Sequence, residues 1–497
     1  MFTHIFLVSF FSLSTIFEDN VKRHILICPR AKKRKRQEEE AYFEKNVNCG
    51  GHGRLVVANP ATSIASSLKS EFEPGTSAWA QRIARRVLRA HQFIFKADKT
   101  CDVAAVTCRD IHNAIDVKDL SRAELDAGIR EAFFVNQIRS GGDQHTIQIA
   151  SLIGHLREMG FLERRNPKKT SPAGKLGLDS DAGDSSLQAE NEEPLVILEM
   201  GAGRGMFGLA AAGVASASGL NTHFYMVDRG GSRAKAEKAF RNIKMTTGRS
   251  YLKLDDVNWC RLCCDVSHVN LPVVFEKDDR YRKAKIVVIA KHLCGVGTDL
   301  ALKSLIPIRH RIDACLIATC CHGICNWEDY VGRDILREVM EGEKCDDNDS
   351  SLPSFGPLEF DLLRRWSAAT VARREQNSQA SVRKDTDTTR SSGDDVMEHT
   401  RILDENEVNK NLGNSSETNI SPVVRELDLS CDIQGLGRAC QRLIDYGRSE
   451  YINRNIFQTS INEQTVVNNL SQYVEPEVTP QNAILWAYRK ETPREAV

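Results

Sequence analysis

Residues Ile197-Leu198-Glu199-Met200-Gly201-Ala202-Gly203-Arg204-Gly205 set an apolar run, an acid and three alternating glycines in direct succession. An apolar run of that length reads as a buried parallel strand, and the glycines after it let the backbone turn tightly and approach a ligand closely. Small apolar residues from Met206 to Val214 continue as a helix, so the loop lies at a helix N-terminus. Strand, glycine loop and helix in that order make a nucleotide-type cofactor site.

Two kinds of ligand compete for such a loop, because dinucleotide folds also use spaced glycines after their first strand. Glu199 stands before the first glycine, where it would repel a pyrophosphate but can hold a cationic amino-acid group, directly or through water. The cofactor that fits is S-adenosylmethionine. Downstream, His223 to Val227 forms a second apolar run that ends in Asp228, an acid placed to accept hydrogen bonds from a ribose diol. Arg261-Leu262-Cys263-Cys264-Asp265 reads as a third strand whose terminal Asp265 suits an adenine amino group, and Lys285 to Ala290 and Asp313 to Ala318 supply a fourth and a fifth. The expected fold is therefore α/β, a Rossmann-like class I S-adenosylmethionine-dependent methyltransferase domain. A doubly wound domain without a ligand is the plain alternative, since function is argued from the site and not from the fold.

A chain of 497 residues has room for two to four domains, and 41% hydrophobic residues are ample for a large core. With 67 basic and 67 acidic residues the molecule is no polyanion binder by net charge, so any nucleic-acid surface must be local. Fifteen cysteines are too few for a disulfide scaffold in a chain this long, which points to reduced thiols in the cytoplasm or nucleus. Met1 to Phe17 is apolar, but no basic segment precedes it and no small-residue cleavage site follows; it is also short for a bilayer span. No membrane association is expected.

The chain divides on composition and periodicity. Residues 1–36 end in the basic run Arg30-Ala31-Lys32-Lys33-Arg34-Lys35-Arg36, which is either an RNA-phosphate contact, a nuclear address or a solvated helix face. Residues 70–165 carry apolar side chains at helical spacing, as in Ile83, Val87 and Leu88 and again in Ile147, Leu152 and Leu156, and form a helical accessory region. Residues 166–193 read as a linker, 194–340 as the catalytic core, and 341–421 as a largely disordered insertion in which Leu358 to Ala369 keeps a helix. Residues 422–497 complete the domain, with late strands at Leu470 to Val474 and Ile484 to Ala487.

A second constellation follows the fourth and fifth strands. Lys291 and His292 open the segment Lys291-His292-Leu293-Cys294-Gly295, and Thr319-Cys320-Cys321-His322-Gly323-Ile324-Cys325 closes the fifth strand. Ligands of open α/β sheets bind at the carboxyl ends of strands, so a methyl acceptor would approach these residues. Lys291, His292 or His322 could orient or deprotonate a hydroxyl, histidine being the type nearest neutral pKa. The sequence leaves the choice among them open. Cys320, Cys321, His322 and Cys325 also look like metal ligands, but they lack paired two-ligand knuckles, and packed thiols beside a pocket histidine are the favoured reading. Near the N-terminus, His24 and Cys28 have a zinc-ligand spacing.

The loop from Glu199 to Gly205, the Asp228-Arg229 strand end, Lys291 to Gly295, Cys320-Cys321-His322, Leu436-Gly437-Arg438 and Asp445-Tyr446-Gly447-Arg448 together resemble the eukaryotic tRNA 2'-O-methyltransferases that modify nucleotide four of the acceptor stem. The resemblance covers most of the chain from Thr15 onward, apart from the acidic insertion. It implies S-adenosylmethionine as donor, tRNA as partner and acceptor, and a methylated ribose 2'-oxygen as product. Within it Glu199, Gly201, Gly203, Gly205, Asp228 and Asp265 would bind the cofactor, and Lys291, His292 and His322 would face the acceptor. It also implies two N-terminal zinc modules, of which His24 and Cys28 match the last two ligands of the second. Its earlier cysteine and histidine, and the module upstream, have no counterpart in this sequence, so Met1 to Ser14 reads as replacement sequence. Two other functions remain open: a methyltransferase acting on protein or a small molecule, and a non-catalytic RNA-binding scaffold.

Overall fold

The computed structural model describes residues 29–49, 76–95, 142–162, 194–230, 258–276, 284–342, 354–368, 433–458, 465–475 and 478–490. Seven strands build one sheet: β1 (Leu195–Met200), β2 (Thr222–Val227), β3 (Asn258–Leu262), β4 (Lys285–Lys291), β5 (Ile312–Ala318), β6 (Thr465–Gln472) and β7 (Ala483–Lys490). Their spatial order is β3-β2-β1-β4-β5-β7-β6. The first five are parallel to one another, while β7 runs antiparallel to both β5 and β6. The sheet is thus mixed α/β and mostly parallel.

Burial explains why the parallel strands are apolar along their whole length. Every residue of β1 is buried, and alternate residues serve opposite faces. Ile197, Val287, Leu316 and Trp486 point to one face, covered by α3 (Gly142–Glu158) and α4 (Met206–Ala217). Leu198, Val288, Ile317 and Leu485 point to the other, covered by α5 (Leu271–Glu276), α6 (Val296–Leu305) and the wide turn Ile452–Phe457. A third core joins α2 (Ser77–Phe95), α7 (Arg333–Glu341), α8 (residues 357–368) and α9 (Ile433–Tyr451). The helices of the expected accessory region therefore pack into two different cores: α3 on the sheet, and α2 on α9.

Three expected elements shift. The third strand ends at Leu262 instead of running from Arg261 to Asp265, because its pairing with β2 starts at His223 opposite Asn258. The chain then turns, and the Asp265 carboxylate accepts from the backbone N–H and the hydroxyl of Ser267 at 3.0 and 2.8 Å. The first late strand runs Thr465–Gln472 instead of Leu470 to Val474, since its ladder with β7 sets its length. The expected helix at Leu358 to Ala369 forms over residues 357–368. The linker, most of the insertion, and Met1 to Cys28 with both expected zinc ligands His24 and Cys28 lie outside the described residues.

A buried ionic network fixes α9 to the sheet. Arg448 donates from Nε and Nη2 to the two carboxylate oxygens of Asp299 on α6, at 3.1 and 2.7 Å, and from Nη1 to Asp445 at 3.3 Å. Its Nη2 also reaches the Gly295 carbonyl at 3.0 Å. Arg448 and Asp299 are 1% and 0% exposed, so the pair is fully desolvated and losing one partner strands a buried charge. Arg448→Met should lower stability by roughly 3–5 kcal/mol, read from urea unfolding; a loss under 1 kcal/mol would show that the network does not hold α9.

Candidate functional site

The chain reverses direction across the sheet between β1 and β4: from β1 it moves outward through β2 and β3, then returns to β4 on the other side. In open α/β sheets the loops at the carboxyl ends of strands diverge at such a reversal, which makes it the crevice where a ligand binds. The glycine loop lies on one side of it and the Lys291-His292 turn on the other.

Gly201, Gly203 and Gly205 hold φ of 65°, 54° and 71°, a left-handed backbone that side-chain-bearing residues adopt at a cost. A side chain at Gly203 would meet no atom within 4 Å, so the loop leaves open space beside its own backbone. Asp228, at the end of β2, accepts from the Gly203 N–H at 2.8 Å and the Gly230 N–H at 2.6 Å. Arg261 completes the loop's support by donating to the Gly203 carbonyl at 3.0 Å. Sequence reasoning placed Arg261 on the third strand but missed this role, since nothing in one sequence signals a side chain that reaches across two strands.

Glu199 is 2% exposed and accepts from the Gly208 N–H at 3.1 Å in the first turn of α4. A Cβ at Gly208 would fall 2.1 Å from Phe224 and 2.7 Å from the Glu199 carboxylate, so glycine is what lets α4 come this close to the sheet. Burial pushes the Glu199 carboxyl up to about 8, against the Gly208 hydrogen bond and the charges of Lys291 and Arg261. It is thus a buried acid that brings an uncompensated cost when ionised, and that an ammonium group beside it would relieve. Asp265 sits one turn beyond β3, partly exposed, with Arg229 Nε at 4.0 Å.

Across the crevice, Lys291 Nζ lies 3.2 Å from His145 Nδ1 on α3. Burial lowers the Lys291 ammonium to about 8, with Glu199 pulling the other way. His292 has φ of 62°, and its ring packs edge-on to that of His145 at 6.0 Å. Burial and then the charges of Lys291 and His145 push His292 down to about 4, although the residue keeps solvent exposure. Of Lys291 and His292, the lysine is therefore the group nearer neutrality, where residue type alone favoured histidine. His145 carries no local signal that could have placed it here.

His322 does not stand free in the crevice. It is 3% exposed, and its Nε2 lies 2.8 Å from an Asp445 carboxylate oxygen that also receives the Thr319 hydroxyl at 2.7 Å. Its Nδ1 is buried without a hydrogen-bond partner among the described residues. A cavity of about 10 Å³, the size of one water, adjoins His322, Asp445 and Arg438. Burial would raise Asp445, but His322, Arg448 and Thr319 hold it below its ordinary range.

The four residues with a metal-like look are pulled apart. His322 turns to Asp445, and Cys325 receives the Arg448 Nη2 at 3.1 Å. Cys320 and Cys321 instead meet Cys294, from the turn after β4. Hydrogen bonding from Cys294 and Cys320 holds the Cys321 thiol far below its ordinary range, and the same contacts push Cys320 well above it.

One more element reaches this edge of the sheet. The basic run forms α1 (Pro29–Glu38), on which Lys32, Lys33, Arg34, Lys35 and Arg36 are exposed. Gln37 at its end donates to the Arg229 carbonyl, next to Asp228, at 3.3 Å. Asn48 then anchors the following segment by donating to the Val266 and Val269 carbonyls at 2.7 and 2.9 Å.

Comparison with known proteins matches residues 147–488 to the family model described as Methyltransferase TRM13. The tRNA:m(4)X modification enzyme TRM13 of Saccharomyces cerevisiae is 22% identical over 96% of this chain and 83% of its own length. The Vanderwaltozyma polyspora protein of the same name is 26% identical over 54% of this chain and half of its own length. The mouse tRNA:m(4)X modification enzyme TRM13 homolog is 25% identical over 58% of this chain and 59% of its own. The chain thus spans little more than half of two of these relatives. No solved structure matches it.

The Glu199 carboxyl makes a pH prediction. Its folded-state value lies above its unfolded one, so the stability it contributes is full below pH 4.5 and falls away as pH rises toward 8. Glu199→Gln should keep the fold and flatten that decline, making the ligand-free variant more stable than the parent at pH 8 by a few kcal/mol, at about 1.4 kcal/mol per pH decade. Thermal melts by circular dichroism between pH 5 and 8 would check this; parallel curves for the two proteins would show that Glu199 is not ionised at a cost.

Proposed function

We propose, from the premise that this chain belongs to the TRM13 methyltransferase family, that it transfers a methyl group from S-adenosylmethionine to the ribose 2'-hydroxyl of nucleotide four in a tRNA acceptor stem. The names of the yeast and mouse relatives support tRNA as the acceptor. The strand order, with its parallel half and crevice at the reversal point, supports a Rossmann-like class I methyltransferase domain. The single observation that carries the reading is the open glycine loop held by Asp228 and faced, across the crevice, by a lysine with a lowered pKa.

The residues fit the cofactor. The space beside Gly203 suits a ligand that lies against the loop backbone, Asp228 retains lone pairs for ribose hydroxyls, and the buried Glu199 gains from a nearby ammonium. Asp265 would serve the adenine. When bound, S-adenosylmethionine supplies the electrophilic methyl. Lys291, with a value of about 8, is neutral often enough near physiological pH to take the proton of the attacking hydroxyl at Nζ. His145 holds that nitrogen in place, and His292 orients the acceptor as a neutral imidazole. His322 would act from beneath, its imidazole fixed by Asp445. Zinc bound through His24 and Cys28 stays part of the proposal only as the family resemblance implies it.

An exposed basic helix beside Asp228 favours a polyanionic acceptor over a small molecule. Among the described residues no helix is long and apolar enough to cross a membrane. A cytoplasmic or nuclear setting accords with the proposed substrate.

Three experiments test the reading. Incubation with bulk tRNA and isotopically labelled S-adenosylmethionine, then nuclease digestion and mass spectrometry, should give a labelled 2'-O-methyl nucleoside from the acceptor stem. Lys291→Met should lower kcat by about 10²–10⁴, keep cofactor binding, and abolish a rise in kcat toward pH 8; unchanged kcat would remove the lysine from proton transfer. Separately, alanine at Lys32, Lys33, Arg34, Lys35 and Arg36 should weaken tRNA binding and reduce the slope of log affinity against log salt by about 0.7–0.9 per lost phosphate contact. An unchanged slope would place the RNA surface elsewhere.

A further inference from the structure

The thiols of Cys294, Cys320 and Cys321 have no part in the chemistry proposed above, yet two strand-end loops converge to bring them together. Cys294 follows β4 in a turn that begins with His292 at φ 62°, a conformation disfavoured for any residue with a side chain. Cys320 and Cys321 follow β5, the neighbouring parallel strand. The three sulfur atoms lie within 4.8 Å of one another, and those of Cys294 and Cys320 are 3.1 Å apart. In a tetrahedral zinc site with bonds of ~2.3 Å, sulfurs sit roughly 3.8 Å from each other, within the 4.8 Å limit that holds for all three sulfurs here.

Nearby thiols are otherwise engaged, which sets the three apart. Cys325 is taken by Arg448 and Cys315 lies inside the sheet. The Cys294 thiol reaches the His292 carbonyl at 3.4 Å beside its sulfur neighbours. Cys320 is buried while Cys294 and Cys321 are partly exposed, so an ion has a way in.

We propose that Cys294, Cys320 and Cys321 form a three-thiolate site for a soft divalent ion, zinc above all, with the fourth position filled by water. Each thiol releases its proton to solvent as its sulfur binds, with no change of oxidation state. The ion ties the β4 loop that carries Lys291 to the β5 loop that carries His322. Its role is structural, and the site stands whether or not the chain methylates tRNA.

The test uses the full chain with His24→Ala and Cys28→Ser, so that those two residues contribute no ligand, stripped of metal under reducing conditions and titrated with Co²⁺. One equivalent should bind, with sulfur-to-cobalt charge-transfer absorption and the intense visible bands of a four-coordinate ion, both displaced by Zn²⁺. Cys294→His should keep the equivalent with weaker sulfur-to-cobalt absorption, a change that a folded but non-binding cluster would not give. Adding Cys294→Ser, Cys320→Ser and Cys321→Ser together should remove the signal. Absence of sulfur-to-cobalt absorption in the parent, or its full survival in the triple serine variant, overturns the proposal.

Discussion

Arg448 is the side chain on which the assembly turns. Its guanidinium is buried, always charged and rigidly forked, so it must be met by acceptors at set angles. It finds them at three points: Asp299 on α6, the Gly295 carbonyl at the start of α6, and Asp445 one turn back on α9 itself. A helix that the chain reaches only after residues 369–432 is thereby locked against the carboxyl ends of β4 and β5. Stacking of Tyr330 on Phe360, and the Tyr330 hydroxyl on the Ile444 carbonyl at 2.8 Å, extend the same anchorage into the third core.

That lock passes directly into the crevice. Asp445, held below its ordinary range against burial by His322 and then Arg448, is the acid that grips His322 and Thr319 at the end of β5. The neighbouring Cys320 and Cys321 then face Cys294 across the gap between strands. At the Glu199 and Lys291 positions the logic is reversed: burial raises the carboxyl and lowers the ammonium, each to about 8, and the charge of the other opposes that shift only in part. The Arg448-Asp445-His322 chain is satisfied electrostatically, while Glu199 and Lys291 keep the cost of burial until something charged arrives.

Much of this was legible in the residues. The five parallel strands were readable because a strand covered on both faces must be apolar throughout, and the glycine loop because three left-handed residues tolerate little else. The acids at strand ends stood out by their position. The limits of β3 and β6 were misjudged for one reason: hydrophobic runs report burial, while strand length is set by the partner's ladder, and Cys263 and Cys264 are apolar in a segment that has already left β2. The partners of His322, Cys325 and Lys291 were hidden because each comes from far along the chain.

By itself, then, the sequence determined the sheet's parallel core, the glycine cradle and the candidate residues around it, since periodicity and backbone strain are local properties that neighbours in the chain express. The tertiary structure decided which of those residues work together. It gave His322 to Asp445, Cys325 to Arg448 and Cys294 to Cys320 and Cys321, and it placed His145 beside Lys291. Pairings between distant segments, and the desolvation that moves a lysine or a carboxyl toward neutrality, exist only once those segments are packed.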